Sequence, residues 1–337
     1  MDLRPLLITT PDGSGQTGHP DVIDSGSGFC GHRYWLAATP YPFGNDRLEN
    51  PIIRVSDDGV HWSVPAGVSD PLVEAPADPA RHWSDTDLVL HQNMLHLFFR
   101  GCARDRTEAQ LLLMTSTDGV RWSPPTVIHT GEFVLSPAVV HEPDGWSMWH
   151  VWCDGTSARV LRQQAEDPLT WREPQPCTLP IAGHVPWHLD VITVAGGYEA
   201  LICAFPLGTD PSRCRLFHAS STDGITFVVS EPAPLLAPRL LGWPNRFIYH
   251  STFLRRDDGT YRIWYSGASW SMRCGVRLVE GPLDRLSTVT AGTKRPRLTV
   301  REDLVGFATY VGLRRTPPWL RTALRGLLRG ARAGRGR

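Results

Sequence analysis

Three aspartates of this 337-residue chain, Asp21, Asp87 and Asp190, each stand directly before a short apolar run. If those runs are strands that begin around a common centre, the three carboxylates converge. Converging carboxylates provide the chemistry of glycosidic bond hydrolysis, in which an ionised group acts as base or nucleophile and an acid of raised pKa protonates the leaving oxygen. The alternative is that each aspartate caps its strand or accepts a neighbouring backbone amide.

A loop rich in proline and polar residues follows the first of these segments. The aromatic rings of Tyr41 and Phe43 could stack on a sugar, and the side chains of Asn45, Glu49 and Asn50 could hydrogen-bond to hydroxyl groups. Glu49 in the same loop is a candidate for the catalytic acid. A proline-stiffened loop whose polar residues only stabilise turns is the alternative.

Further candidates for substrate binding lie where the apolar runs begin or end: His19, Arg100, His188, Asp190, His250 and Ser251. An arginine at such a place could bind a carboxylate or phosphate on the substrate, or form an ion pair at the rim. The histidines could converge on a metal, but no His-x-His or His-Glu-x-x-His spacing favours this. We therefore predict no metal ligands and no organic cofactor, and leave open a structural cation in a central channel.

A repeated turn motif indicates which elements position these side chains. It reads Ser-x-Asp-Gly-x-x-Trp over 56–62 and 116–122, ends in Phe over 221–227, and has a variant over 167–171. Asp-Gly is a strong signal for a hairpin turn, and a repeat every 50 to 60 residues, roughly, indicates a radial array. Thirteen tryptophans with many glycines and prolines also favour short strands joined by turns.

The apolar runs recur five times, each followed by an aromatic-rich strand. The sequence therefore predicts an all-β protein, a single five-bladed β-propeller over 1–312 with four antiparallel strands in each blade. The predicted blades cover about 19–70, 84–128, 133–178, 186–234 and 248–290. In this topology the Asp-Gly turns belong to the lower face. Chemistry belongs to the upper face, where the inner strands begin and second strands lead into third strands.

These features resemble the five-bladed propeller glycosidases, a superfamily of arabinanases, β-xylosidases and fructan-cleaving enzymes. The resemblance rests on the five-unit repeat, the turn motif and the opening His19-Pro20-Asp21. It implies a base aspartate in blade one, matched by Asp21, and a pKa-tuning aspartate in blade two, matched by Asp87. It also implies an acid glutamate in blade three, which opens without a carboxylate. Glu132 is the nearest substitute, and Glu49 is its rival.

The predicted function is cleavage of a glycosidic bond in a poly- or oligosaccharide; the alternative is a non-catalytic module that binds glycans or assists polysaccharide assembly. A formal charge of zero gives no indication of nucleic acid binding. The Arg-rich stretch 313–337 is predicted to form a short basic helix or tail, with peripheral membrane or protein contact as one role. Dispersed cysteines and the lack of a leader or membrane span predict a cytoplasmic protein.

Overall fold

The computed structural model describes residues 5–103, 105, 108–131, 134–153, 157–238, 247–269 and 271–289. The predicted all-β propeller is confirmed, because its strands form five antiparallel sheets in the order of a meander. The predicted tail over 313–337 and Glu132 lie outside the described residues. Within the described part of the chain, no helix has the length and hydropathy that a bilayer crossing requires.

The strands are numbered in chain order, from the innermost strand of each blade outwards. Blade one contains β1 (Thr17–Phe29), β2 (His32–Pro40) and β3 (Ile52–Ser56), and blade two contains β4 (Arg81–His91), β5 (Met94–Ala103), β6 (Ala109–Ser116) and β7 (Thr126–Gly131). Blade three contains β8 (Val134–Glu142), β9 (Gly145–Cys153), β10 (Ala158–Ala165) and β11 (Gln175–Pro176). Blade four contains β12 (His184–Val194), β13 (Gly197–Pro206), β14 (Arg215–Ser221) and β15 (Val228–Val229). Blade five contains β16 (Phe247–Arg255), β17 (Tyr261–Ala268), β18 (Cys274–Gly281) and β19 (Ser287–Val289).

In blade one the fourth position at the outer edge is taken by Ser63, which exchanges two backbone hydrogen bonds with Val55. Three short 3-10 helices, Asp46–Leu48, Pro211–Arg213 and Leu283–Arg285, lie between strands. The first two follow the second strand of their blades and therefore lie on the upper face, as the predicted topology requires.

The repeated turns of blades one, two and four pack against the blade before them in the ring. Their glycines, Gly59, Gly119 and Gly224, have φ of 72°, 70° and 70°, a region that favours glycine. The indole N–H of Trp264 in blade five donates to the Gly59 carbonyl of blade one at 2.9 Å, and that of Trp149 donates to Gly224 at 2.7 Å. The turns are thus part of the scaffold.

Blade five meets blade one to close the ring. The N–H of Leu6 donates to the carbonyl of Val276 on β18 at 2.8 Å, so the segment before β1 extends the outer edge of blade five. Leu6 packs in an apolar cluster with side chains of both blades, among them Leu36 and Trp264. This arrangement places the first residues of all five inner strands around one channel.

Candidate functional site

A register irregularity occurs near the upper end of every inner strand. The pairing with the second strand shifts next to five residues that occupy equivalent positions: His19, Asp85, Ser136, His188 and His250. Bulges of this kind change the direction of a side chain. All five residues are at most 3% exposed. We call these five residues the upper ring.

Within the upper ring, a carboxylate and histidines are in direct contact. The Nε2 of His19 lies 3.0 Å from Oδ1 of Asp85. The ring of His188 lies 5.6 Å from that of His19 and 5.0 Å from that of His250, measured between centroids. The Nε2 of His250 lies 3.1 Å from the Ser136 hydroxyl, whose backbone N–H donates to Oδ2 of Asp85 at 3.0 Å. The ring is therefore one connected polar cluster.

Arg100, near the end of β5, forms an ion pair with the buried carboxylate of Asp85. Its Nε lies 3.1 Å from Oδ2 of Asp85, and its Nη1 donates to the carbonyl of Val134. Burial raises the pKa of Asp85, but the Arg100 guanidinium opposes burial and holds this pKa well below its ordinary value. Asp85 is therefore ionised at neutral pH.

The histidines of the upper ring are neutral at the same pH. Burial lowers the pKa of His19 to about 3, against the attraction of Asp85, and the pKa of His250 to about 4. Burial also lowers the pKa of His188 well below its ordinary value. A neutral imidazole is the form that binds a metal ion.

Three members of the ring fit a divalent cation. Donor atoms of His19, Asp85 and His188 all lie within 4.8 Å of one another. Neither ring nitrogen of His188 has a hydrogen-bond partner among the described residues, although the side chain is buried. Two imidazoles and one carboxylate form a donor set used for zinc and related transition metals, with further positions left for water or substrate.

Glu49 lies beside the upper ring, since its side chain hydrogen-bonds to Ser84, the neighbour of Asp85. Burial, with a contribution from the charge of Asp85, raises the pKa of Glu49 well above its ordinary value. The phenol of Tyr41 hydrogen-bonds to that of Tyr249, and the two rings stack at 5.8 Å. A carboxyl group of raised pKa thus lies next to an ionised carboxylate.

The predicted trio Asp21, Asp87 and Asp190 does converge, with carboxylate oxygens within 4.8 Å of one another. These aspartates lie two residues further along their strands than the upper ring, and we call them the lower ring. Burial raises the pKa of Asp21 to about 6 and the pKa values of Asp87 and Asp190 well above the ordinary range.

Each carboxylate of the lower ring also accepts a backbone N–H from the inner strand of the next blade. Leu88 donates to Asp21 at 2.6 Å, Val139 donates to Asp87 at 3.2 Å and Phe253 donates to Asp190 at 3.1 Å. The sequence left open that each aspartate accepts a neighbouring backbone amide, and the structure shows these bonds between blades. Any catalytic role of the three aspartates is additional to this structural one.

The other predicted binding residues are distributed around this site. Arg100, His188 and His250 belong to the polar cluster, and the Tyr41 ring lies 5.8 Å from that of His19. Asn45 caps the 3-10 helix Asp46–Leu48 by accepting from the N–H of Arg47, which is the turn-stabilising alternative. Asn50 is half-buried after the same helix, and the Ser251 hydroxyl contacts the thiol of Cys203 on the neighbouring blade.

Three residues of the site, Asp85, Ser136 and Tyr249, were absent from the predicted set. Asp85 stands two residues before Asp87, as His19 stands before Asp21, so the equivalence was readable in the sequence. The prediction that no metal ligands converge rested on local spacing. Donors from three blades meet without any such spacing.

No protein-family model matches the chain. Among curated proteins, it is 29% identical to the A type blood N-acetyl-α-D-galactosamine deacetylase of Flavonifractor plautii. The alignment covers 74% of this chain, which spans only 40% of the length of that protein.

Solved structures share the fold. A crystal structure of an N-acetylgalactosamine deacetylase from F. plautii, in complex with blood group B trisaccharide, aligns with a TM-score of 0.72 at 24% identity, over 82% of this chain and 93% of that chain. A thermostable family-43 glycoside hydrolase aligns with a TM-score of 0.58 at 14% identity, over 84% and 97% of the two chains. The predicted resemblance to propeller glycosidases is thus confirmed for the fold.

Proposed function

We propose that this chain hydrolyses the amide bond of an N-acylated sugar at the upper end of its channel. The observation that carries the proposal is the cluster of His19, Asp85 and His188, a donor set of metal-assisted hydrolysis. The deacetylase relatives support the same reaction class, and carbohydrate is the substrate class that they share with the glycosidases of this fold.

In this reaction the oxygen of water bonds to the acyl carbon, the carbon–nitrogen bond breaks, and a proton passes to the leaving nitrogen. The products are a carboxylic acid and a free amino sugar. A divalent cation, when bound, polarises the carbonyl oxygen and lowers the pKa of water.

The protein groups have separate roles in this proposal. His19 and His188 present neutral imidazoles, and Arg100 keeps Asp85 ionised and oriented. Glu49 takes the proton from water and delivers it to the leaving nitrogen, a role that suits a carboxyl group of raised pKa. Tyr41 and Tyr249, whose rings lie next to that of His19, would donate from their phenols to the substrate.

The experiment is acetate release from N-acetylhexosamines and their oligosaccharides after loading with Zn²⁺, Mn²⁺ or Co²⁺. His188→Ala should lose metal, measured by elemental analysis, and should lower kcat/KM at least about a hundredfold. The matched control is His184→Ala on the same strand, which should retain both. Acetate release that is unchanged in His188→Ala would contradict the proposal.

Glycosidic bond cleavage is the second candidate. Its supporting observation is the convergence of Asp21 and Asp87 in the channel, with Glu49 beside the adjoining upper ring as the raised-pKa acid. Here Asp21 is the base and Asp87 tunes the pKa of its neighbours. New reducing ends on a glycan array that disappear in Asp21→Asn would support it. Glycan binding without acetate or reducing ends would favour the non-catalytic module instead.

A further inference from the structure

An apolar cleft opens on the upper face next to the candidate site. It lies between β1, the upper ends of the blade-five strands and the 3-10 helix Pro211–Arg213, and it provides about 100 Å³ of space. Its walls include Tyr41, Phe247, Tyr249 and Met272. The role proposed above for the upper ring does not use this cleft.

The two tyrosines contact both the cleft and the candidate site. The ring of Tyr249 lies 4.9 Å from that of His188 and 5.2 Å from that of His19, measured between centroids. The stacked ring of Tyr41 lies 5.8 Å from His19. Since both tyrosines also line the cleft, only one aromatic ring separates its apolar wall from the proposed metal ligands His19 and His188.

We propose that this cleft receives the alkyl part of the acyl group, so that the chain acts on sugars whose N-acyl group is longer than acetyl. The inference rests on the proposed amide hydrolysis, because the alkyl chain is attached to the carbonyl carbon that reacts at the upper ring. An apolar wall stabilises methylene groups, whereas a sugar hydroxyl buried against it without a hydrogen-bond partner is disfavoured.

The volume limits the length of the chain. A cavity of about 150 Å³ holds benzene, and a water molecule takes about 30 Å³ in the liquid. The cleft, with its 100 Å³, therefore has room for about three carbon-sized groups. This predicts propionyl and butyryl as preferred acyl groups. Each added methylene should raise kcat/KM about fourfold, the ratio that corresponds to about 0.8 kcal/mol per buried CH₂.

The test compares N-acetyl, N-propionyl, N-butyryl and N-hexanoyl forms of one hexosamine by amine release. The wild type should prefer butyryl to acetyl about tenfold or more. Ser212→Phe puts a ring into the cleft and should remove this preference. Arg213→Phe is the matched control, because it adds the same ring to the same 3-10 helix at an exposed position outside the cleft wall and should leave the ratio unchanged.

Met272→Ala enlarges the cleft and should shift the preference towards hexanoyl. Thermal unfolding of each variant shows whether it folds. Affinities of the metal-free protein for the N-acetyl and N-butyryl sugars, measured by NMR titration, give a readout apart from turnover. Amine release with equal rates for all acyl groups overturns the inference and leaves the proposed function intact. If no amine is released, the proposed function fails, and equal affinities for the two sugars then overturn the inference as well.

Discussion

At the scale of single residues, the upper and lower rings have different surroundings, although they lie only two residues apart along the inner strands. The upper ring combines Asp85, ionised through Arg100, with neutral histidines. The lower ring consists of carboxylates that accept backbone amides and resist ionisation. Titratable groups whose surroundings push their pKa values apart are typical of catalytic sites, and Asp85 with Glu49 is such a pair.

Glu49→Gln is the residue-scale test of the proton transfer. Glutamine keeps the size and polarity of the side chain but cannot carry the proton. We expect kcat for amide hydrolysis to fall about 10² to 10⁴-fold, with metal content and thermal unfolding unchanged. Glu173→Gln, at an exposed position, is the control. A kcat within twofold of the wild type would exclude Glu49 as the proton carrier.

A second residue-scale prediction concerns His150, buried on β9 away from the channel. Burial lowers its pKa to about 3 from the ordinary 6.5. The unfolded chain therefore binds a proton at a pH where the folded chain does not. The free energy of unfolding therefore has its full value above about pH 6.5 and decreases as the pH falls towards 3. At about pH 5 the decrease that is due to His150 is roughly 2 kcal/mol.

His150→Phe should reduce this loss. Urea unfolding at pH 7.5 and at pH 5 gives the change in the free energy of unfolding for each protein. His32→Phe, at a half-exposed position, is the control for the removal of a histidine. An identical pH dependence in His150→Phe would contradict the prediction.

At the scale of elements, hydrogen bonds between side chains and main-chain groups connect the inner strands around the channel. In addition to the aspartate links, Thr252 of β16 donates to Asp21 at 2.8 Å. Blade three has Ala138 at the equivalent position, and there the Ser136 hydroxyl bonds to both the N–H and the carbonyl of Leu189. Each neighbouring pair of blades is thus linked at the channel as well as by its apolar core.

Asp87→Asn and Asp87→Ala together measure one such link. Asparagine retains an oxygen for the N–H of Val139 and removes one of three clustered carboxyl groups, whereas alanine leaves this N–H buried without a partner. We expect the asparagine variant to be at least as stable as the wild type. The alanine variant should be less stable than the asparagine variant by about 1–3 kcal/mol in urea unfolding. Equal stabilities would show that the bond to Val139 is energetically unimportant.

Some of these elements could be predicted from the sequence, and others could not. The blade number, the turns and the loop that carries Glu49 were predictable, because turn chemistry and apolar runs repeat along the chain. The upper ring was not identified as a unit. Its residues are directed into the channel by a bulge, which depends on pairing with the second strand and leaves no residue type as a signature. The backbone N–H groups that bond to Asp21 and Asp87 likewise cannot be identified from a sequence, because every residue type except proline provides one.

At the scale of the whole molecule, the ring is closed by the same contacts that hold its internal junctions. The turn of blade one packs on Trp264 and Arg262 of blade five, as the turn of blade four packs on Trp149 and Arg162 of blade three. The free energy of the closed ring therefore depends on one more junction than an open row of blades has.

Gly59→Ala tests the closing junction. A Cβ at Gly59 would lie 2.5 Å from Nη1 of Arg262 and 2.9 Å from the Trp264 ring. Gly13→Ala is a close control, because its φ is also 72° and nothing lies within 4 Å of the added carbon. We expect Gly59→Ala to be the less stable of the two by about 1–3 kcal/mol in thermal or urea unfolding. Equal losses would mean that only backbone strain matters and that the junction accommodates the methyl group.

The junction between blades five and one has a topological consequence. The chain crosses it through the segment before β1, whose Leu6 pairs with β18, and its indole and guanidinium contacts repeat those of the junction between blades three and four. The five blades therefore form a cyclic order in which the point of entry of the chain is arbitrary. A circular permutant that begins at β4 and carries the segment before β1 together with β1–β3 after blade five would meet every one of the same partners.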